Sequence, residues 1–127
     1  MLNLDTHILI YALQGSLRPS ERRLLAQEAW SISAIVLWEL TKLSQLKRVN
    51  IDITSADFAV TLSRIHVWPV SLAICREILK LDFRSDPADE IIAATSIVHR
   101  TRLVTRDRTI LKSKVVPFAT QAAMYVP

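Results

Sequence analysis

The chain has 127 residues, half of them hydrophobic and 22% charged, and its 16 Lys and Arg outweigh 12 Asp and Glu to leave a net charge of +4. That length is expected to form one domain over residues 1–127 with a core able to fold without disulfides. The lone cysteine, Cys75, excludes an intramolecular disulfide and a multi-cysteine zinc site, and the lone glycine, Gly15, excludes the glycine-rich phosphate loop and the dinucleotide fingerprint.

In chain order, a short apolar segment ending at Asn3 to Asp5 reads as a strand, and Thr6 to Gln14 as a helix stopped by Gly15. Ser20 to Trp30, with Pro19 just ahead, reads as a second helix. Ser31 to Ser33 alternates like a strand, and Ala34 to Leu46 is expected to be helical. Thr54 with Asp57 resembles a capping box opening a helix to about Ile65. Val67 to Val70 is strand-like, and Pro69 assigns it to a sheet edge. Ser71 is expected to cap a helix reaching Leu81, and Asp86-Pro87 to open one ending near His99. Leu103 to Thr105 reads as a strand, Asp107 to Leu111 as a helical turn, and Val115 to Phe118 as a last strand. Strands alternating with helices argue for an α/β sandwich on a mostly parallel sheet. No apolar run is long enough to span a bilayer, and the N-terminus has no basic region ahead of an apolar stretch, so a cytoplasmic protein is expected.

Ligands in such sheets gather beyond the carboxyl ends of the strands. Asp5 and Asp107 sit where a strand hands over to a helix. Glu39 projects from a helix stripe that also carries Ile35, Val36 and Leu43, where an unpaired carboxylate is costly. Asp89 lies in the first turn of the helix opened by Asp86. Each acid has a plainer reading: Asp5, Asp86 and Asp107 as helix caps, Asp89 as a dipole partner, Glu39 as the mate of an arginine. If Asp5, Glu39, Asp89 and Asp107 share one cleft, each pair about 5 Å apart repels by roughly 3 kcal/mol at an effective dielectric near 20. Such a cluster recruits cations, and an all-oxygen set suits Mg²⁺ or Mn²⁺. These ions activate water against a phosphodiester. From Arg100 to Lys114 there are six basic residues and one acid, a run that reads either as a solvated edge or as nucleic-acid contact.

Four motifs, Leu4-Asp5-Thr6-His7, Ser33 with Glu39, Asp86-Pro87-Ala88-Asp89 followed by Ile91-Ile92-Ala93-Ala94-Thr95, and Leu103-Val104-Thr105-Arg106-Asp107, resemble the PIN-domain family. Within it they are similar to the VapC-type ribonuclease toxins of type II toxin–antitoxin systems, and the resemblance covers nearly the whole chain. It implies a three-layer α/β/α sandwich and a Mg²⁺- or Mn²⁺-dependent endoribonuclease, with Asp5, Glu39, Asp89 and Asp107 as the metal-binding catalytic acids. Thr6 and Thr105 would then hydrogen-bond the carboxylates or bound waters, with Asp86 behind them as a cap. Arg106, Arg108, Lys112, Arg100 and Arg102 would steer the RNA backbone. A homodimer is implied, held inactive by a small VapB-like antitoxin whose tail crosses the active site. The chain departs from the family's pattern at Glu90, where arginine is common, and at Arg100-Thr101-Arg102, where glycine is common.

Two other functions compete with the nuclease. One is a binding module that clasps an antitoxin tail in an operator-binding complex. The other is a receiver-like domain with a phosphorylated aspartate. Among remaining residues, Cys75 is expected in the core, His66 and His99 at helix ends, His7 in a structural role, and Trp38 at a partner contact.

Overall fold

Leu2–Leu4 (β1), Trp30–Ser33 (β2), His66–Trp68 (β3) and Arg102–Val104 (β4) form a sheet of order β3-β2-β1-β4 in which every neighbouring pair is parallel. This computed structural model describes residues 1–119. Parallel strands need crossovers, and the helices Thr6–Gln14 (α1), Pro19–Leu25 (α2), Ala34–Gln45 (α3), Ala56–Ser63 (α4), Leu72–Ile78 (α5), Pro87–His99 (α6) and Arg108–Leu111 (α7) lie between and after the strands. In β1, Leu2, Asn3 and Leu4 are all fully buried. Successive strand side chains point to opposite faces, so helices cover the sheet on both sides in an α/β/α arrangement. On one face Asn3 Nδ2 donates to Ile92 O and Ser96 Oγ of α6. The core gathers Leu2, Leu4, Ile8, Leu9, Ile32, Val36, Leu40, Ile92, Leu103 and Ile110. Among the described residues no helix is long and apolar enough to cross a membrane.

Helices with local stop signals match their sequence pattern. α1 ends at Gly15, which adopts φ +72°, and α6 begins at Pro87 and ends at His99. Elsewhere the pattern is overridden. α2 stops at Leu25, not Trp30. Leu2 N donates to Ala29 O, and the Trp30 indole donates to Leu25 O, so strand pairing claims the segment expected to stay helical. The cap of α4 is Ser55, whose hydroxyl accepts the Phe58 amide. Thr54 is instead held by Asp52 Oδ1 through both its amide and its hydroxyl, and the helix ends at Ser63. Ser71 caps α5 as expected, but that helix ends at Ile78. Its Cys75 is exposed, not in the core; Ile74 takes the buried position. β3 stops ahead of Pro69 and does occupy a sheet edge. The expected strand from Val115 to Phe118 is a single parallel bridge between Leu103 and Phe118, which lays chain along the outer side of β4.

Candidate active site

Parallel pairing delivers the strand ends together. Leu4 pairs with Val104, and the Asp5 amide donates to Val104 O at 3.0 Å, so Asp5 and Thr105 leave the sheet side by side. β2 flanks β1 and feeds α3 through Ser33, whose hydroxyl accepts the Ile35 amide as N-cap. Glu39 lies in the second turn of that helix. α6 contributes Asp89 from its first turn, with Pro87 at N1.

Asp5 is 4% exposed. Its Oδ1 accepts the Thr6 amide at 2.8 Å, and its Oδ2 accepts the Thr105 hydroxyl at 2.6 Å. The Thr6 hydroxyl donates to Glu39, which meets no arginine among the described residues. Thr105 Oγ1 also accepts the Asp107 amide at 3.0 Å, and Asp107 Oδ1 accepts the Ile110 amide as N-cap of α7. Asp89 Oδ2 accepts the Ser85 hydroxyl at 2.8 Å. Capping and clustering are therefore compatible: Asp5 and Asp107 do both.

Electrostatics tie the acids into one neighbourhood. Burial pushes the Asp5 carboxyl above the ordinary range, against the hydrogen bonds from Thr105 and Thr6, and Glu39 adds to the rise. Glu39 is raised by burial and then by Asp89 and Asp86. Asp89 is raised by burial and then by Asp5, Asp107 and Asp86. Each of these three acids feels others from distant parts of the chain, as like charges in one neighbourhood must. The exposed His7 offsets part of that repulsion at Asp5 and Glu39.

Other expected roles change. Asp86 occupies the N-cap position of α6 but makes no side-chain cap bond. The turn is held by Ser85, whose amide donates to Glu90 Oε2 at 3.1 Å, so the Glu90 carboxylate is engaged with that backbone. Ser85, four residues before Asp89, is a site residue that no sequence motif flags; the spacing is one at which helical neighbours meet, and it was the available signal. Arg106 is not presented to RNA: its guanidinium is bound to Glu21 of α2. Arg100 and Arg102 precede β4 or begin it, at the opposite end of that strand from Asp107, and Arg102 pairs with Glu28 there. They fall outside the site for that topological reason. Arg108, next to Asp107 in the chain, and Lys112, just past α7, are exposed and in no ion pair among the described residues. His66 belongs to β3, not to a helix end, and sits edge-on to Trp68, against which His99 stacks from the end of α6. Trp38 is 55% exposed.

The donor set is all carboxylate oxygen, and burial first, then neighbouring carboxylates, raise Asp5, Glu39 and Asp89 above the ordinary range, which fits a hard divalent cation in charge and in kind. As they stand, no three His, Cys, Asp or Glu side chains among the described residues converge closely enough to hold one ion. The carboxylates are each turned toward a hydroxyl or an amide.

Residues 3–115 match the PIN domain family. A similar curated protein is Ribonuclease VapC22 of Mycobacterium tuberculosis (strain ATCC 25618 / H37Rv), 33% identical over 115 residues that make up 83% of this chain and 85% of the relative. Among solved structures, VapBC2 from Rickettsia felis bound to a DNA fragment from its promoter superposes with a TM-score of 0.71 at 20% identity, covering 95% of this chain and 99% of that one. A toxin–antitoxin complex from Klebsiella pneumoniae gives 0.68 at 23% identity, over 88% and 91% of the two chains. FitAcB from Neisseria gonorrhoeae gives 0.64 at 20%, over 93% and 96%. At these identities the structural matches establish the shared fold.

Proposed function

Because the chain belongs to the PIN domain family and to its VapC-type ribonucleases, we propose that it is an endoribonuclease toxin whose acids Asp5, Glu39, Asp89 and Asp107 hold Mg²⁺ or Mn²⁺. The observation that carries this reading is the meeting of carboxylates from four separate segments, Asp5 and Asp107 joined through the Thr105 hydroxyl, Glu39 bonded to Thr6 next to Asp5, and Asp89 near enough to feel Asp5 and Asp107. When bound, the ion supplies Lewis-acid stabilisation of the phosphodiester and activates water for attack on phosphorus. The chain's own groups aim the acids. Thr105 restrains Asp5 and the Asp107 backbone, Thr6 restrains Glu39, and Ser85 restrains Asp89. Asp86 adds negative charge at the rim. Arg108 and Lys112 contact the RNA phosphates, which makes affinity salt-dependent. The whole chain works as a single nuclease domain, in the cytoplasm where its RNA is. It forms a homodimer, and a small antitoxin of the VapB kind holds it inactive.

A second reading is supported by the carboxylates that do not converge: the cleft clasps the basic tail of an antitoxin and has little turnover of its own. The deciding experiment incubates the purified protein, free of antitoxin, with a mixed tRNA and ribosomal RNA pool in Mn²⁺, Mg²⁺ or EDTA, beside Asp89→Asn. Discrete fragments that need the metal and vanish in the variant are expected. A folded protein that cuts nothing under either metal would reverse the assignment in favour of the binding module.

A further inference from the structure

Glu21 is 1% exposed, yet it carries a full carboxylate; as N3 of α2 it accepts the N-cap amide, a local role that leaves the rest of its bonding to be explained. Its oxygens are saturated from two directions. Oε1 accepts the Arg18 amide at 2.7 Å and Arg106 Nη2 at 2.6 Å, while Oε2 accepts Arg106 Nε at 2.8 Å. The same guanidinium lies 4.1 Å above the centre of the Tyr11 ring. Burial raises the proton affinity of Glu21, and the Arg106 and Arg18 contacts more than reverse it, so the pair is ionised.

Stability is a poor explanation for this pair. Glu21 is buried and Arg106 half-buried, and the cost of desolvating such a pair commonly offsets much of its attraction, so that an apolar pair of similar volume often does as well. RNA binding is a poor explanation too, because the fork of Arg106 is spent on Glu21. The position of Arg106 in the chain offers a third. It stands between Thr105, whose hydroxyl holds Asp5, and Asp107, whose amide is held by that same hydroxyl. A bidentate bond has direction as well as strength, and the ring of Tyr11 fixes the guanidinium plane from one side.

We propose that Glu21 and Arg106 are positioning residues: their bidentate bond anchors the segment 105–107 to α2, and through it sets where Thr105 and Asp107 stand relative to Asp5. The inference rests on the proposed role of Asp107 in the nuclease site, and it adds a remote determinant of that site, the two partners of the bond lying 85 positions apart in the sequence. Outer partners of a metal-binding group commonly change affinity or activity by roughly 10–100-fold.

The test uses the full chain carrying Glu21→Met with Arg106→Leu, read by melting temperature, by hydrogen exchange at the Asp107 and Ile110 amides, and by kcat and KM for RNA cleavage in Mn²⁺. Expected are a melting temperature close to that of the unaltered protein, exchange at both amides faster by roughly tenfold, and kcat lower by roughly 10–100-fold with KM little changed. Arg106→Lys keeps the charge without the fork, so it should lower kcat in the same way. Unchanged exchange and kcat in the double variant would overturn the proposal. So would full activity in Arg106→Lys, or a raised KM with kcat intact, which would make Arg106 an RNA contact. If the double variant fails to fold, Glu21→Gln takes its place, since it keeps the shape and the Arg18 contact, and the same shifts are expected in smaller degree. If the unaltered protein cuts no RNA, the nuclease reading has failed, and amide exchange alone still decides whether the pair positions the segment.

Discussion

The Thr105 hydroxyl serves two acids at once, donating to Asp5 Oδ2 and accepting the Asp107 amide. Thr105→Val keeps the shape and removes both bonds, leaving a buried carboxylate oxygen short of its donor. A loss of about 1–3 kcal/mol is expected in urea denaturation, as for other buried groups left unpaired. The raised proton affinities of Asp5, Glu39 and Asp89 give the metal-free protein a pH signature. The native chain binds these protons more tightly than the unfolded chain does, so the contribution of these three acids to stability is fully present below the ordinary carboxylate range and is lost as pH rises through the raised values, opposite in sign to that of the lowered Glu21 and Glu28. In EDTA the melting temperature should therefore carry a contribution from these acids that falls as pH rises from the ordinary carboxylate range through their raised values. Asp89→Asn should lessen that fall, stabilise the metal-free protein at neutral pH and abolish stabilisation by Mn²⁺. A pH profile of melting that is the same in Asp89→Asn as in the unaltered protein would contradict the raised proton affinity of Asp89. At this scale the acids were legible because a carboxylate on an apolar stripe, such as Glu39, is anomalous within a few residues of sequence. Glu21 was not, because its partner is distant in the chain and its own helix looks like any charged surface helix.

Elements were legible where the signal that ends them is local. Gly15 closes α1 in a conformation that other residues avoid, and Pro87 starts α6 where no amide is needed. α2 and α4 were misjudged because their limits depend on contacts from elsewhere: β1 takes the chain at Ala29, and Asp52 takes Thr54. The end of α6 is a compromise of a different sort. Arg100 adopts φ +52°, the left-handed conformation that costs an ordinary residue about 1–2 kcal/mol and that glycine accepts freely. Arg100→Gly should therefore stabilise the protein by about 1 kcal/mol in chemical denaturation, the gain being trimmed by the greater freedom of glycine when unfolded. Since Arg100 lies at the far end of β4 from Asp107, RNA cleavage should be unaffected; a fall in activity would return that end of the sheet to the substrate path.

Across the whole molecule, charge and topology separate two tasks. The net charge of +4 draws anions in general, while the exposed cations Arg108 and Lys112 follow Asp107 at the start of α7 and just past its end. With cleavage silenced by Asp89→Asn, the affinity for a single-stranded RNA should fall with salt. Neutralising both cations should lessen the slope of log affinity against log salt by about 1.4, near 0.7 for each phosphate that then keeps its counterion. An unchanged slope would place the RNA elsewhere. Fold class was legible at this scale from the alternation of strands and helices, whereas the order of the strands was not, because pairing between β1 and β4 is written nowhere near either strand. That pairing sets a schedule for a nascent chain. Asp5 leaves the ribosome early, but the hydroxyl that holds it belongs to a residue 100 positions later. At roughly 5–20 residues per second, synthesis leaves an interval of roughly 5–20 s in which the first acid exists without its site. For that interval the buried carboxylate of Asp5 has no Thr105 hydroxyl to meet, so the order of synthesis puts the completion of this site at the end of folding.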